Sequence, residues 1–178
     1  SRRDFSAGMA EVIKCGFIAD YKSLNLVQDE HLDIAQIVYR AVKVKSDVVS
    51  KDFKESKLRE ILNYGHTLGH AIEIFSKYKL RHGEAVSIGL VYAAELALAR
   101  GLISKEEVEL HRTILSAYGL PITYDRQAWQ KIAPLLALDK KARGNTIRFV
   151  ALSGIGTTVR LEDLTSAELD AAYERISS

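Results

Sequence analysis

Residues 58–73 contain two histidines, an amide and a guanidinium at spacings that place functional groups on one side of a helix. These polar residues follow one another at intervals of four, three and four: Arg59, Asn63, His66 and His70. At about 100° per residue, such positions fall within an arc of roughly 60°. A merely solvated face more often carries Glu, Lys and Gln. The spacing therefore predicts a polar stripe along one face of an amphipathic helix.

The two histidines of this stripe are open to two interpretations. At a spacing of four residues they are as often surface or satisfied core histidines as metal ligands. The metalloprotease pattern H-E-x-x-H fits poorly, because Thr67 stands where that pattern has its general-base Glu. A divalent ion takes three or four ligands, so a metal site here requires further ligands from elsewhere in the chain.

Two other segments offer such ligands. Glu11 and Lys14 lie three residues apart on a predicted helix, where an ordinary surface ion pair is the more common role. His82 immediately precedes a predicted helix rich in small residues, where a capping or loop histidine is the more common role. We expect the remaining histidines, His31 and His111, to be solvated, because both lie among charged residues. Considered one at a time, these residues neither establish nor exclude a metal site.

The composition predicts one domain without a nucleic-acid or membrane partner. The chain has 178 residues, of which 47% are hydrophobic, enough for one ordinary core. Lys and Arg number 25 against 23 for Asp and Glu, so the net charge is too small to attract a polyanion such as nucleic acid. The single cysteine, Cys15, indicates a reducing compartment, and no apolar run approaches the ~20 residues of a membrane helix. The sequence starts without a signal-peptide pattern, and we therefore expect a cytoplasmic protein.

Helical periodicity and only two prolines predict a mainly α fold. Alternating residues around a Gly-x-Gly turn predict one small β-hairpin at 146–161. Gly65 and Gly69 lie one turn apart inside a predicted helix, which indicates that another backbone packs closely there. We expect Pro134 to bend or break its helix. The predicted helices cover residues 6–20, 31–50, 57–77, 83–100, 104–119, 126–138 and 165–176.

Taken together, three motifs in this order and spacing resemble the 3-dehydroquinate synthase family. They are G-M-A-E-V-I-K at 8–14, N-Y-G-H-T-L-G-H-A-I-E at 63–73 and R-H-G-E-A-V at 81–86. The resemblance extends to Lys45 followed by Val48 and Val49, and to D-K-K at 139–141 followed by R-F-V at 148–150. The chain departs from the family pattern at Phe53 and Lys57, where acidic and glycine residues are usual.

The resemblance covers nearly the whole chain but only about the latter half of a full-length family member. It implies that residues 1–178 form the multi-helix C-terminal domain of the dehydroquinate synthase-like fold. The N-terminal NAD-binding domain of the family, with its Gly-rich turn, is absent from this sequence. NAD would be bound mainly by that domain, and this chain would contribute no cofactor-binding residue of its own.

The family pattern implies a role for each polar residue. Glu11, His66 and His82 would bind one divalent metal ion, zinc or cobalt. His70 would then not be a ligand but a catalytic, proton-handling residue, together with Lys14. The substrate contacts that the resemblance implies are Lys14, Lys45, Arg59, Asn63, Lys140 and Lys141, of which the last two belong to the phosphate-contacting region.

The implied activity is that of a carbon–oxygen lyase of the shikimate pathway, which leads to chorismate and the aromatic amino acids. This enzyme converts 3-deoxy-D-arabino-heptulosonate 7-phosphate to 3-dehydroquinate and phosphate. The implied partners are this phosphorylated keto acid, the N-terminal NAD-binding domain and a second copy in a homodimer, and the chain alone would be inactive. The alternatives are a sugar-phosphate cyclase that makes a cyclitol, a metal-dependent polyol dehydrogenase and a non-catalytic helical module.

Overall fold

The structure of the chain, a computed structural model, describes residues 1–52, 58–142 and 147–178. The side chains of residues 52 and 137–142 lie outside the described part. The mainly α fold with one β-hairpin that the sequence predicts is confirmed. The helices are α1 (Arg2–Ala19), α2 (Tyr21–Leu26), α3 (Ile34–Asp52), α4 (His66–Phe75), α5 (His82–Ala99), α6 (Lys105–Ala117), α7 (Trp129–Ala142) and α8 (Ser166–Arg175), with short 3₁₀ helices at Leu58–Asn63 and Arg126–Ala128. The strands are β1 (Phe149–Leu152) and β2 (Thr158–Leu161), which pair antiparallel with Phe149 opposite Leu161.

Helix α5 forms the centre of the fold. It carries no charged residue between Glu84 and Glu95, and nearly all of its side chains are buried. A helix that is apolar all round is stable only when other elements cover every side. Here α1, α4, α6, α8 and β1 pack around it. None of the helices in the described ranges is long and apolar enough to span a lipid bilayer.

Two glycines of α5 let neighbouring backbones approach this helix closely. A Cβ atom at Gly89 would overlap the carbonyl oxygen of Gly65, and a Cβ atom at Gly83 would overlap the carbonyl oxygen of Ala7. Gly65 immediately precedes α4, and Ala7 lies on α1. The missing side chains therefore set how closely α1 and the start of α4 pack against α5.

The single predicted helix over residues 57–77 is wrong. The chain instead forms the 3₁₀ helix Leu58–Asn63, turns at Gly65 with φ of 78°, and only then begins α4. The polar stripe is therefore interrupted between Asn63 and His66, because a left-handed residue changes the direction of the backbone. The predicted start of that helix, Lys57, and the unusual Phe53 lie outside the described residues.

Other predicted boundaries differ less. Helix α1 begins at Arg2 rather than at residue 6, because Ser1 and Asp4 form a capping box. Helix α2 was not predicted, and α7 continues past Pro134. The close backbone contact predicted at Gly69 is confirmed, because a Cβ atom there would lie 3.3 Å from the Cα atom of Val86 on α5.

His111 is fully buried, so the prediction that it is solvated is wrong, whereas His31 is exposed as predicted. The His111 ring stacks on Phe17 with centroids 3.5 Å apart. Its Nδ1 lies 2.7 Å from the Glu107 carbonyl oxygen, and its Nε2 lies 2.9 Å from the Tyr64 hydroxyl. A carbonyl only accepts, so Nδ1–H donates to it and the Tyr64 hydroxyl donates to Nε2. The charged sequence neighbours misled the prediction, because adjacent residues of a helix point in different directions.

We expect Gly89→Ala to lower the free energy of unfolding by about 1–3 kcal/mol, the usual cost of forcing extra atoms into a packed contact. The new Cβ atom overlaps the Gly65 carbonyl oxygen, so α4 and α5 must separate. Gly8→Ala on α1 is the matched control, since nothing lies within 4 Å of a Cβ atom there and alanine favours a helix. Chemical denaturation of both variants measures the difference, and an unchanged stability of Gly89→Ala contradicts the tight contact.

We expect the buried His111 to make folding stability depend on pH. Burial lowers the pKa of His111 to about 4, below its ordinary value of 6.5. The unfolded chain therefore takes up the proton first, so this stabilisation is complete above about pH 6.5 and is lost as the pH falls toward 4. Its share of the stability lost between pH 7 and pH 5 should be about 2 kcal/mol. Denaturation of the chain and of His111→Gln at both pH values tests this, and an identical pH dependence in the two refutes it.

Candidate metal centre

Three helices bring Glu11, His66 and His82 together. Glu11 lies on α1, while His66 and His82 are the first residues of α4 and α5. Nε2 of His66 lies 3.4 Å from Oε1 of Glu11, and Nε2 of His82 lies 3.9 Å from the same oxygen. The candidate ligand atoms of all three residues lie within 4.8 Å of one another. The structure thus unites the three residues that the resemblance implies as ligands, although their role in binding a metal stays a prediction.

The hydrogen bonds of the two imidazoles leave Nε2 of each ring available. Nδ1 of His66 lies 3.0 Å from the Tyr64 carbonyl oxygen, and Nδ1 of His82 lies 3.2 Å from both carboxylate oxygens of Glu73. Both partners are acceptors, so in the neutral rings Nδ1–H donates to them. Each Nε2 then carries a lone pair and lies 3.4 or 3.9 Å from Oε1 of Glu11, and a ring nitrogen that carries a lone pair is the one with which histidine binds a metal.

Glu11 is surrounded by positive charge. Nζ of Lys14 donates to both carboxylate oxygens of Glu11 at 3.0 and 2.9 Å, and Nζ of Lys45 donates to Oε2 at 2.9 Å. Lys14 is only 1% exposed, so the expectation of an ordinary surface ion pair with Glu11 is wrong. Burial raises the pKa of the Glu11 carboxyl, but the charge of Lys14 and the hydrogen bonds from both lysines outweigh it and lower the pKa to about 2. Glu11 is therefore a carboxylate at neutral pH.

His66 is also in the form that binds a cation. Burial is the largest cause of its lowered pKa, and the nearby charge of Lys14 adds to it. Together they bring the pKa of His66 to about 4, so the ring is neutral at pH 7. A protonated imidazole has no lone pair to offer, whereas a neutral one does.

This set of donor atoms suits a divalent ion. One carboxylate oxygen and two imidazole nitrogens are common ligands of catalytic zinc, with positions left open for water or substrate. At metal–ligand distances of about 2.0–2.1 Å, tetrahedral ligand atoms lie about 3.3 Å apart. The 3.4 and 3.9 Å between the imidazole nitrogens and Oε1 of Glu11 require only small movements to reach that value. Glu11, His66 and His82 therefore fit zinc or a similar ion.

The structure places the other predicted site residues in three groups. His70 is exposed on α4, with its ring centroid 5.2 Å from that of His66 and 5.9 Å from that of His82. Arg59 is exposed and Asn63 is half-buried, and both lie on the 3₁₀ helix before Gly65. The side chains of Lys140 and Lys141 lie outside the described part of the structure.

Glu73 is a site residue that was missed in the sequence. It contacts His82 directly, and with His70 and His82 it forms a second group of possible metal ligands within 4.8 Å of one another. Its position offered a signal, because it follows His70 by three residues and His66 by seven, which places all three on one helix face. Only a structure brings His82, which lies on the next helix, to that face.

We expect Glu11→Gln, His66→Ala and His82→Ala each to lower the affinity of the chain for zinc by more than about 100-fold. The loss of a ligand should exceed the 10–100-fold that the loss of a ligand's hydrogen-bond partner costs. His31→Ala is the control, since His31 is exposed and lies outside both groups of possible ligands. Isothermal titration with zinc measures the affinities. Tight zinc binding by the His66 or the His82 variant shows that the substituted residue is not a ligand.

Comparisons with known proteins identify the family of the chain. The family model described as "3-dehydroquinate synthase C-terminal" matches residues 8–142. The 3-dehydroquinate synthase of Paenarthrobacter aurescens is 50% identical over 185 residues, which cover 99% of this chain and 51% of that protein. The 3-dehydroquinate synthase of Nocardia farcinica is 49% identical, with 99% of this chain and 49% of that protein covered. The chain thus spans about half the length of the curated relatives it matches.

Solved structures share the fold. ValA, a 2-epi-5-epi-valiolone synthase from Streptomyces hygroscopicus with NAD+ and Zn2+ bound, has a TM-score of 0.87 at 24% identity, over 99% of this chain and 52% of that one. A 2-deoxy-scyllo-inosose synthase complexed with carbaglucose-6-phosphate, NAD+ and Co2+ has a TM-score of 0.75 at 22% identity, over 98% and 53%. At these identities the likeness shows the fold alone. Since the family model covers well over half of its residues, this chain belongs to the 3-dehydroquinate synthase C-terminal family.

Proposed function

We propose that this chain supplies the metal site and most of the substrate contacts of a 3-dehydroquinate synthase. The reaction converts 3-deoxy-D-arabino-heptulosonate 7-phosphate to 3-dehydroquinate and phosphate. The observation that carries the proposal is the convergence of Glu11, His66 and His82, in a chain about 50% identical to enzymes of that name. The homodimer that the resemblance implies and the cytoplasmic location that the composition predicts stay predictions.

The charges around Glu11 favour an anionic substrate. One carboxylate faces the two ammonium groups of Lys14 and Lys45, while His66 is neutral, so this part of the site is positive even before a cation binds. Positive charge at a partly buried site attracts and orients a carboxylate or a phosphate. Lys45, which is more exposed than Lys14, is the better placed of the two to exchange its contact with Glu11 for one with substrate.

A divalent ion held by Glu11, His66 and His82 would supply Lewis-acid polarisation of a substrate hydroxyl. Zinc or cobalt is supported by the ions in the two related structures. The protein's own proton-handling group in this proposal is His70, whose ring lies beside those of His66 and His82 and is exposed to incoming substrate. Histidine is the side chain that most often transfers protons in general acid–base catalysis.

NAD fits the described part of this chain poorly. A dinucleotide usually binds where a Gly-rich turn joins a strand to a helix in a parallel sheet. The strands within the described residues form only an antiparallel hairpin, and Gly154 and Gly156 lie in its turn. We therefore assign NAD to the half of the relatives that this chain does not match, as the resemblance implies. The NAD+ in both related structures supports its use as a cofactor.

The remaining predicted contacts would hold the ends of the substrate. Arg59 offers the planar guanidinium that pairs well with a carboxylate, and Asn63 can donate to a ring hydroxyl. Lys140 and Lys141 would contact the phosphate. The 3₁₀ helix that carries Arg59 and Asn63 packs against α3, the helix of Lys45. This packing supports a substrate position between that 3₁₀ helix and the metal ligands.

A cyclase that makes a cyclitol from a sugar phosphate is the second candidate. It is favoured by the fold, because the ValA structure aligns with a TM-score of 0.87. The sequence favours the first candidate, because identity to the 3-dehydroquinate synthases is about twice that to ValA, at 50% against 24%. A polyol dehydrogenase and a non-catalytic helical module have no comparable support among these relatives.

We expect Arg59→Ala to discriminate between the two cyclases, in a protein that joins this chain to the N-terminal half of a relative. Loss of the guanidinium should lower kcat/KM for the keto-acid phosphate at least about 10-fold, as expected for a lost charged hydrogen bond. It should change kcat/KM much less for a sugar phosphate without a carboxylate. Steady-state assays with both substrates measure this, with Arg2→Ala, an exposed arginine at the start of α1, as the control. Equal losses on both substrates count against the keto acid.

We expect the chain by itself to bind zinc but to show no turnover with NAD and substrate. The candidate metal ligands all lie within the chain, whereas the strands of its described residues form no parallel sheet to bind a nucleotide. Zinc titration and an activity assay on the chain, with and without an N-terminal half supplied by a relative, test both statements. Turnover by the chain alone disproves this division of roles.

A further inference from the structure

Glu73 has no role in the metal triad or among the predicted substrate contacts, yet it contacts the candidate ligand His82 directly. Its side chain is 12% exposed on α4. Both of its carboxylate oxygens lie 3.2 Å from Nδ1 of His82. A carboxylate so close to a ring nitrogen determines where that ring carries its proton.

His82 is the predicted ligand that most needs such a partner. Its side chain is 46% exposed, against 12% for His66 and 22% for Glu11. An exposed imidazole samples several rotamers and two tautomers, and few combinations direct a lone pair at the Glu11 carboxylate. Burial and the Tyr64 carbonyl restrict the ring of His66. For His82 the corresponding acceptor is Glu73.

The connection between α4 and α5 builds this contact into the fold. The backbone N–H of Tyr78 donates to the Glu73 carbonyl oxygen at 2.8 Å, and the Ser76 hydroxyl donates to it at 3.1 Å. Lys77 and Tyr78 adopt φ of 53° and 58°, which reverses the chain after α4. The start of α5 therefore returns next to the last turn of α4, where Glu73 lies.

We infer that Glu73 is a positioning residue for the metal centre, whose carboxylate accepts the Nδ1 proton of His82 and so directs Nε2 of His82 to the cation. The inference rests on the proposed function, because it requires Glu11, His66 and His82 to hold the ion. It adds a residue that acts through a ligand without touching the cation.

A second role for Glu73 competes with this one. Glu73, His70 and His82 form their own group of possible metal ligands. A cation bound through Nδ1 of His82 excludes the first role, because Nδ1 cannot donate a proton to Glu73 and bind a cation at once. A cation on Nδ1 would also put the ring proton on Nε2 and remove that nitrogen as a ligand beside Glu11. The inference therefore implies one bound cation per chain.

Zinc titration of the chain and of Glu73→Ala, Glu73→Gln and Glu109→Ala tests the inference. Glu109 is an exposed carboxylate on α6, so Glu109→Ala removes the same charge far from the site. We expect Glu73→Ala to bind one equivalent with about 10–100-fold lower affinity, as for other partners of metal-bound histidines. Glu73→Gln should lose less, because its amide oxygen still accepts the Nδ1 proton. Glu109→Ala should bind like the unchanged chain.

Nitrogen-15 NMR of the histidine side chains reports which ring nitrogen of His82 carries the proton. A general loss of stability does not change this preference. In the metal-free chain and in Glu73→Gln, we expect His82 to carry its proton on Nδ1, and in Glu73→Ala to lose that preference.

Unchanged affinity and tautomer in Glu73→Ala refute the inference. A second zinc equivalent that only the Glu73 variants lose also refutes it, since Glu73 is then a ligand. If the unchanged chain binds no zinc, the proposed metal site itself fails. If Glu73→Ala does not fold, zinc affinity and the His82 tautomer are measured on Glu73→Gln instead. Wild-type zinc affinity in that variant, together with no preference of the His82 proton for Nδ1, refutes the inference.

Discussion

Two contacts between bare backbones determine where the candidate metal centre forms. Gly83 and Gly89 of α5 let this central helix touch the backbones of Ala7 and Gly65. The contact of Gly83 with Ala7 fixes α1 one turn before Glu11. The contact of Gly89 with Gly65 fixes the backbone immediately before His66, the first residue of α4. Since His82 begins α5 itself, one helix sets the positions of all three candidate ligands. A side chain at either glycine would separate the elements that meet there.

The second constraint is electrostatic. Glu11 must remain ionised while it is largely buried, and the two lysines achieve this by placing hydrogen-bonded ammonium groups on the carboxylate. Burial in turn lowers the pKa of Lys14, and contact with Glu11 opposes that effect. The lysines and a bound cation repel one another, so the site gives up some affinity for the metal. In return it gains positive charge where an anionic substrate would bind.

The sequence predicted which residues lie together and the helical fold better than the detailed geometry of the candidate site. The motifs around Glu11, His66 and His82 were sufficient to select three residues that the structure brings together. The polar stripe failed at Gly65, because a count of residues assumes a continuous helix and cannot detect a change in backbone direction. The burial of Lys14 and His111 was also missed. Burial depends on which helices pack against a residue, and neighbouring charges in the sequence carry little information about that.

Tyr64 contacts both the buried core and the candidate metal centre. Its hydroxyl donates to the buried ring of His111 on α6, while its carbonyl oxygen accepts from Nδ1 of the candidate ligand His66. The phenol ring that contacts the core and the peptide group that orients His66 therefore belong to the same residue. Attempts to engineer a more thermostable core around α6 should keep this tyrosine in place, because its carbonyl oxygen accepts the hydrogen bond that orients the candidate ligand His66.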